Sequence, residues 1–137
     1  MCKHRTWSDP ILYSNLVFLL GSIYVYTHGD PFYAFIALCN FIVSGTYHYH
    51  NETKYRREDS IVAKVSIAVF LYDMVQLWHI NPLVSSMNVL SNLLPLVYCF
   101  RLCQTQRNGA YQYLHIGVHW FATLFGITNH IIKYHFN

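Results

Sequence analysis

The sequence predicts an all-α integral membrane bundle of about five transmembrane helices, and three observations predict it. Apolar residues make up 54% of the 137 residues and charged residues only 11%. With a positive mean hydropathy, that balance excludes an ordinary soluble domain of this size. The apolar residues gather into runs over 10–26, 31–49, 60–79, 82–103 and 110–134. Each run is near the roughly 20 residues that cross a hydrocarbon core of about 30 Å. The runs are continuous rather than alternating, so helices and not barrel strands satisfy the backbone within lipid. The 12 tyrosines, nine phenylalanines and three tryptophans suit aromatic belts at the two membrane surfaces.

The first run is the least apolar. It carries Ser14, Asn15 and Gly21, small and polar residues expected to pack inward against neighbours. His28-Gly29-Asp30-Pro31 makes a turn, and Pro31 suits the first turn of the second helix. Asn51 to Asp59 is the one strongly charged stretch and reads as a loop before the third helix. Asn81-Pro82 turns the chain between the third and fourth helices, and Gln104 to Gly109 is a polar loop before the fifth. With no repeat or low-complexity tail, residues 1–137 read as one domain. A cleaved signal peptide is not expected, because no small-x-small site follows the long first run.

The cysteines are Cys2, Cys39, Cys99 and Cys103. None has C-x-x-C spacing, so a disulfide scaffold or thiolate zinc site is not expected. They read as small apolar residues plus one thiol near the N-terminus. The net charge of +3 forms no basic stripe interleaved with aromatics, and no nucleic-acid partner is expected.

Alternating five spans places the N-terminus and the 51–59 and 104–109 loops on one side. Lys3, Arg5, Lys54, Arg56, Arg57, Lys64, Arg101 and Arg107 fall towards that side, and only Lys133 falls on the other. The positive-inside rule then makes the first side cytosolic. The Lys54-Tyr-Arg-Arg57 run reads most simply as this topology signal touching anionic lipid; a specific headgroup site is the sharper alternative.

Two helix-spaced pairs end up on that side. Ser44 and His48 lie four residues apart at the end of the second helix, and His115 and His119 lie four apart near the start of the fifth. Each pair shares a helix face. Asp59 stands where the third helix begins. Ionisable residues inside membrane helices are costly and usually functional. Three neutral imidazoles leave a fourth position of zinc open for a water whose pKa the metal lowers. A carboxylate such as Asp59 can move its proton, and the Ser44 hydroxyl can donate to an oxyanion.

This order resembles the CREST membrane hydrolase superfamily, which includes the alkaline ceramidases. The residues that carry the likeness are Ser44-Gly-Thr-Tyr-His48, then Asp59 eleven residues on, then His115-Ile-Gly-Val-His119. The His-to-Asp step is most similar to the alkaline ceramidase branch, as is Ser14-Asn15. The resemblance implies Zn2+ held by His48, His115 and His119, with Asp59 handling protons and Ser44 assisting the transition state. It also implies a ceramide-like lipid substrate cleaved at its amide. The family has seven spans, so the resemblance implies a reduced form here, lacking two between Asp59 and His115. Losing an even number keeps every motif residue on one side, and a homo-oligomer would complete the wall. The acidic calcium-binding segment of ceramidases is not evident, and Asp9 alone does not supply it.

Two other functions use the same residues. A b-type haem electron carrier would take His48 with His115 or His119 as axial ligands. A non-catalytic membrane scaffold would keep the metal for stability alone. Outside the constellation, Asp73 lies about 21 Å beyond Asp59 along the helix; it reads as a structural acid, protonated or bonded to Asn88 or Asn92, with a proton or substrate role as the alternative. His50, roughly 200° around from His48, is the rival ligand if the second helix ends early. His28, His79, His130 and His135 read as interfacial residues.

Overall fold

The computed structural model describes residues 9–50, 53–105 and 110–136. Lys3, Arg5, Arg107 and Cys2, and residues 106–109 of the expected polar loop, lie outside the described residues, as does Asn51. Among the described residues all regular structure is helical. The segments are α1 (Pro10–Ser14), α2 (Leu16–Thr27), α3 (Pro31–His50), α4 (Thr53–Trp78), α5 (Pro82–Asn88), a π-helical turn (Val89–Leu93), α6 (Leu94–Thr105) and α7 (Ala110–His135). They form the expected succession of five helical runs. Three of these are long and apolar enough to cross a membrane: Pro10–Thr27, Lys54–Trp78 and Pro82–Thr105. The chain divides into two compact units, Met1–Ser66 and Ile67–Asn137.

In the first unit, Asp9 caps α1 by accepting from the Ile11 amide at 3.0 Å, ahead of Pro10 at the helix start. Asn15 interrupts the run between α1 and α2. Its amide turns back to the carbonyls of Ile11 and Leu12, competing with the helix's own bonds. Gly29 takes a φ of +87° in the following turn, where a side chain would be strained. Asp30 then caps α3 through the Tyr33 amide at 3.0 Å. The α2–α3 pair closes over Val17, Phe18, Val25, Tyr33, Ala34 and Ile36, all buried. The Ser22 hydroxyl donates to the Ala34 carbonyl at 2.7 Å across that pair.

The charged stretch before the third run is where the expected boundary shifts. Residues 53–59 are helical, so α4 begins ahead of Asp59 rather than after it. Lys, Arg and Glu are good helix formers, and a helix can continue past the apolar segment that hydropathy detects.

In the second unit, Asn81 caps α5 through the Val84 amide at 3.1 Å, with Pro82 at its start. The fourth run is not uniformly α-helical. The Leu94 amide bonds the Val89 carbonyl five residues back, widening the turn. Pro95 follows at once; it has no N–H to donate and crowds the carbonyl four residues before it, and the wider turn relieves that crowding. α7 packs on α5 and α6. Gly126 lets it approach Phe70, since an added Cβ would meet the ring at 2.9 Å. Phe70 and Phe125 pack edge to face, with centroids 6.2 Å apart.

Three side-chain amides, those of Asn88 and Asn129 buried and that of Asn92 half-buried, link the elements of this unit. Asn129 donates to the Phe70 carbonyl at 2.9 Å, Asn88 to the Asn129 side chain at 2.9 Å, and Asn92 to the Asn88 side chain at 2.7 Å. The expected pairing of these asparagines with Asp73 is thus replaced by bonds among themselves. His130 also departs from its expected place. It is 1% exposed, with its ring 4.6 Å from that of Tyr134. The reason is phase: His119, Thr123, Gly126 and His130 recur at helical spacing on one face of α7, and all are buried. His28, His79 and His135 are exposed, as interfacial residues would be.

Candidate metal centre

The site begins with a strip on α3. Ile36, Asn40, Ser44 and His48 recur every four residues and are all buried. Four-residue spacing stacks them along one helix face, so an apolar contact at one end gives way to polar groups towards the C-terminus. The polar groups of this strip meet the first half of α4. The Asn40 amide donates to the Ser66 hydroxyl at 2.6 Å, and Ser66 in turn donates to the Val62 carbonyl at 2.8 Å. Further up, the Ser44 side chain is the hydrogen-bonding partner of the Asp59 carboxyl. Ser44 is 4% exposed and Asp59 half-buried, and the hydroxyl is the donor to an ionised carboxylate.

His48 is 3% exposed and sits one turn beyond Ser44. Because α3 continues to His50, the condition under which His50 would replace it is not met. The His50 ring instead lies 5.1 Å from that of Tyr55. On α7, His115 and His119 are one turn apart with rings edge to face, centroids 4.8 Å apart. His119 is 3% exposed, and its carbonyl accepts from Thr123 at 2.9 Å. His115 is half-buried, its ring 5.4 Å from that of Tyr111.

Each of His48, His115 and His119 offers a ring nitrogen able to bind a metal ion. No protein-family profile, curated protein or solved structure matches the chain. The chemistry of the site is therefore read from its own residues. Three imidazole nitrogens suit zinc and other borderline first-row metals, and three protein ligands leave a position for water.

Cys39, Cys99 and Cys103 are free thiols, each half-buried. Cys99 fills the space beside Gly117, where an added Cβ would meet its sulfur at 3.0 Å. Cys103 lies 3.9 Å from the Tyr111 carbonyl. These are packing positions, in keeping with their spacing.

Sequence reasoning missed Asn40 and Ser66. The signal for Asn40 was present, since it stands four residues before Ser44 in the phase that links Ser44 to His48. Ser66 carried no such signal on its own, because its role depends on which α3 residue lies opposite.

Proposed function

We propose that this protein is a zinc-dependent integral membrane hydrolase of a lipid amide, ceramidase-like, with His48, His115 and His119 as the metal ligands. The observation that carries the reading is a pair of helix strips: buried His48 one turn beyond Ser44 on α3, and His115 and His119 one turn apart with rings edge to face on α7. The resemblance of S-x-x-x-H, Asp and H-x-x-x-H to the CREST hydrolases supplies the reaction class. When bound, zinc would supply an acidified water as nucleophile and polarise the scissile carbonyl.

The chain's own residues would do the rest. Asp59 accepts a proton from the attacking water and returns one to the leaving amine, as a carboxyl near a hydrolytic centre can. The Ser44 hydroxyl, one turn from His48, holds the Asp59 carboxyl in place and can turn to an oxyanion as charge develops. Asn40 and Ser66 are positioning residues that fix α4 against the strip carrying Ser44 and His48. A ceramide-like substrate would present its amide at this depth while its chains stay in lipid.

The membrane arrangement belongs to the same proposal. Five spans put the motif residues on one side, and the cation asymmetry puts that side in the cytosol. The runs at 31–50 and 110–135 carry the strip and the histidine pair, which accounts for their lower hydropathy. A second copy of the chain would complete the wall that two further helices supply in seven-span relatives.

Three histidine ligands with a fourth position for water suit a tetrahedral ion, whereas haem takes two opposed nitrogens with the porphyrin plane between them. The test is turnover by purified, metal-loaded protein on ceramides, with ester lipids and phospholipids compared in parallel. Free fatty acid release from ceramide that disappears in Asp59→Asn supports the reading. Bound zinc with no hydrolysis of any lipid would indicate the scaffold role, and a Soret band the haem carrier.

A further inference from the structure

The outer face of the first turns of α4 carries a second feature that the metal group does not use. Arg56, Arg57, Ser60, Ile61 and Lys64 line one open concavity. At 3.6 residues per turn these five positions fall within an arc of about 140°, while Glu58 and Asp59 each lie about 130° from its centre. The helix thus sorts its charges. Asp59 turns to Ser44, and the three cations share a face without either acid. Among the described residues, none of these three cations has an ion-pair or hydrogen-bond partner. Nearby Lys54 is engaged elsewhere, its ammonium 4.7 Å from the centre of the Tyr55 ring.

Guanidinium groups bind phosphate oxygens in pairs through a planar fork, and an ammonium adds a compact charge. Two arginines, a lysine and a hydroxyl in one concavity exceed what a singly charged phosphodiester can satisfy. A phosphomonoester, at about −1.5 to −2 near neutral pH, matches them better. The surroundings indicate how such a group would arrive. Ile61, in the lining, is 49% exposed, and Val65, one turn on, is 55% exposed. The same helix is apolar and long enough to cross a membrane. An exposed apolar surface directly beneath a cationic concavity suits an acyl chain below a headgroup.

We infer that Arg56, Arg57, Ser60 and Lys64 form a binding site for the headgroup of a membrane phospholipid ending in a phosphomonoester. Ile61 and Val65 contact its acyl chain. This inference does not rest on the metal group or on hydrolysis. It concerns the membrane surface where the chain's cations gather, and it turns a general topology signal into a defined site.

The test titrates full-length protein in neutral detergent with dioctanoyl phosphatidic acid, dioctanoyl phosphatidylserine and glycerol 3-phosphate, reading bound ligand by native mass spectrometry. Phosphatidic acid should bind at least tenfold more tightly than phosphatidylserine or glycerol 3-phosphate. Arg57→Gln/Lys64→Gln should lower that affinity at least tenfold. Lys54→Gln/Arg101→Gln removes the same charge outside the concavity and should change it less than twofold. Equal binding of phosphatidic acid and phosphatidylserine, or equal losses in the two double variants, would reduce the concavity to general charge attraction and overturn the site. Glycerol 3-phosphate binding as tightly as phosphatidic acid would overturn the lipid assignment in favour of a soluble phosphate compound.

Discussion

Around α3 and the start of α4, the polar side chains turned inward are an amide, an imidazole, a carboxylate and two hydroxyls, from Asn40, His48, Asp59, Ser44 and Ser66. Around the π-helical turn of the second unit, the inward side chains that hydrogen-bond one another are the amides of Asn88, Asn92 and Asn129. Both sets sit on helices rich in apolar residues, where an unmet polar group is costly. The amides bond to one another and to a backbone carbonyl, which joins α4, the π turn and α7 as structure does. The first set contains groups that exchange protons and bind metals, and amides do neither at ordinary pH. Buried polarity in such a chain is therefore not one signal. Chemical type separates a joint from a candidate site.

That contrast can be broken from either side. The largest effect should come from Asp59→Asn, which keeps the shape but removes the proton acceptor. Turnover should fall about 10²–10⁴-fold while metal content, measured by inductively coupled plasma mass spectrometry, stays unchanged. Ser44→Ala should lower turnover about 10²-fold if its hydroxyl meets an oxyanion, a kinetic comparison made at saturating substrate. In the second unit the effect should be on stability. Asn129→Leu removes the bonds to Phe70 and Asn88 and should cost about 2 kcal/mol, seen as a lower thermal midpoint in detergent with metal content intact. If that variant instead loses metal before it unfolds, the division between joint and site is wrong. The smallest effect belongs to Asn40→Ala, about 1 kcal/mol, because Ser66 keeps its bond to the Val62 carbonyl. Its turnover should drop by less than tenfold.

Much of the fold was legible in the sequence because apolar runs and punctuation report it directly. Pro10, Pro31 and Pro82 each mark a helix start, with Asp9, Asp30 and Asn81 as the caps before them. The start of α4 was misplaced because hydropathy sees where lipid begins, whereas Lys54, Arg56, Arg57 and Glu58 continue the helix beyond it. The π turn before Pro95 depends on how a helix relieves a local clash, and apolar patterning carries no trace of that. At the site, four-residue spacing disclosed Ser44 with His48 and His115 with His119, since both pairs are local. Ser66 opposite Asn40 and the burial of His130 come from tertiary packing, which a single sequence leaves open.

The central claim is that His48, His115 and His119 together hold one metal ion. It is tested most directly by zinc stoichiometry on the purified full-length chain and on His115→Ala/His119→Ala, with monodispersity and thermal unfolding checked for both. The account predicts close to one zinc per wild-type chain and less than about a tenth of that in the folded double variant, since one imidazole alone cannot retain zinc. Wild-type protein without zinc after supplementation, or a double variant that keeps it, would contradict the account.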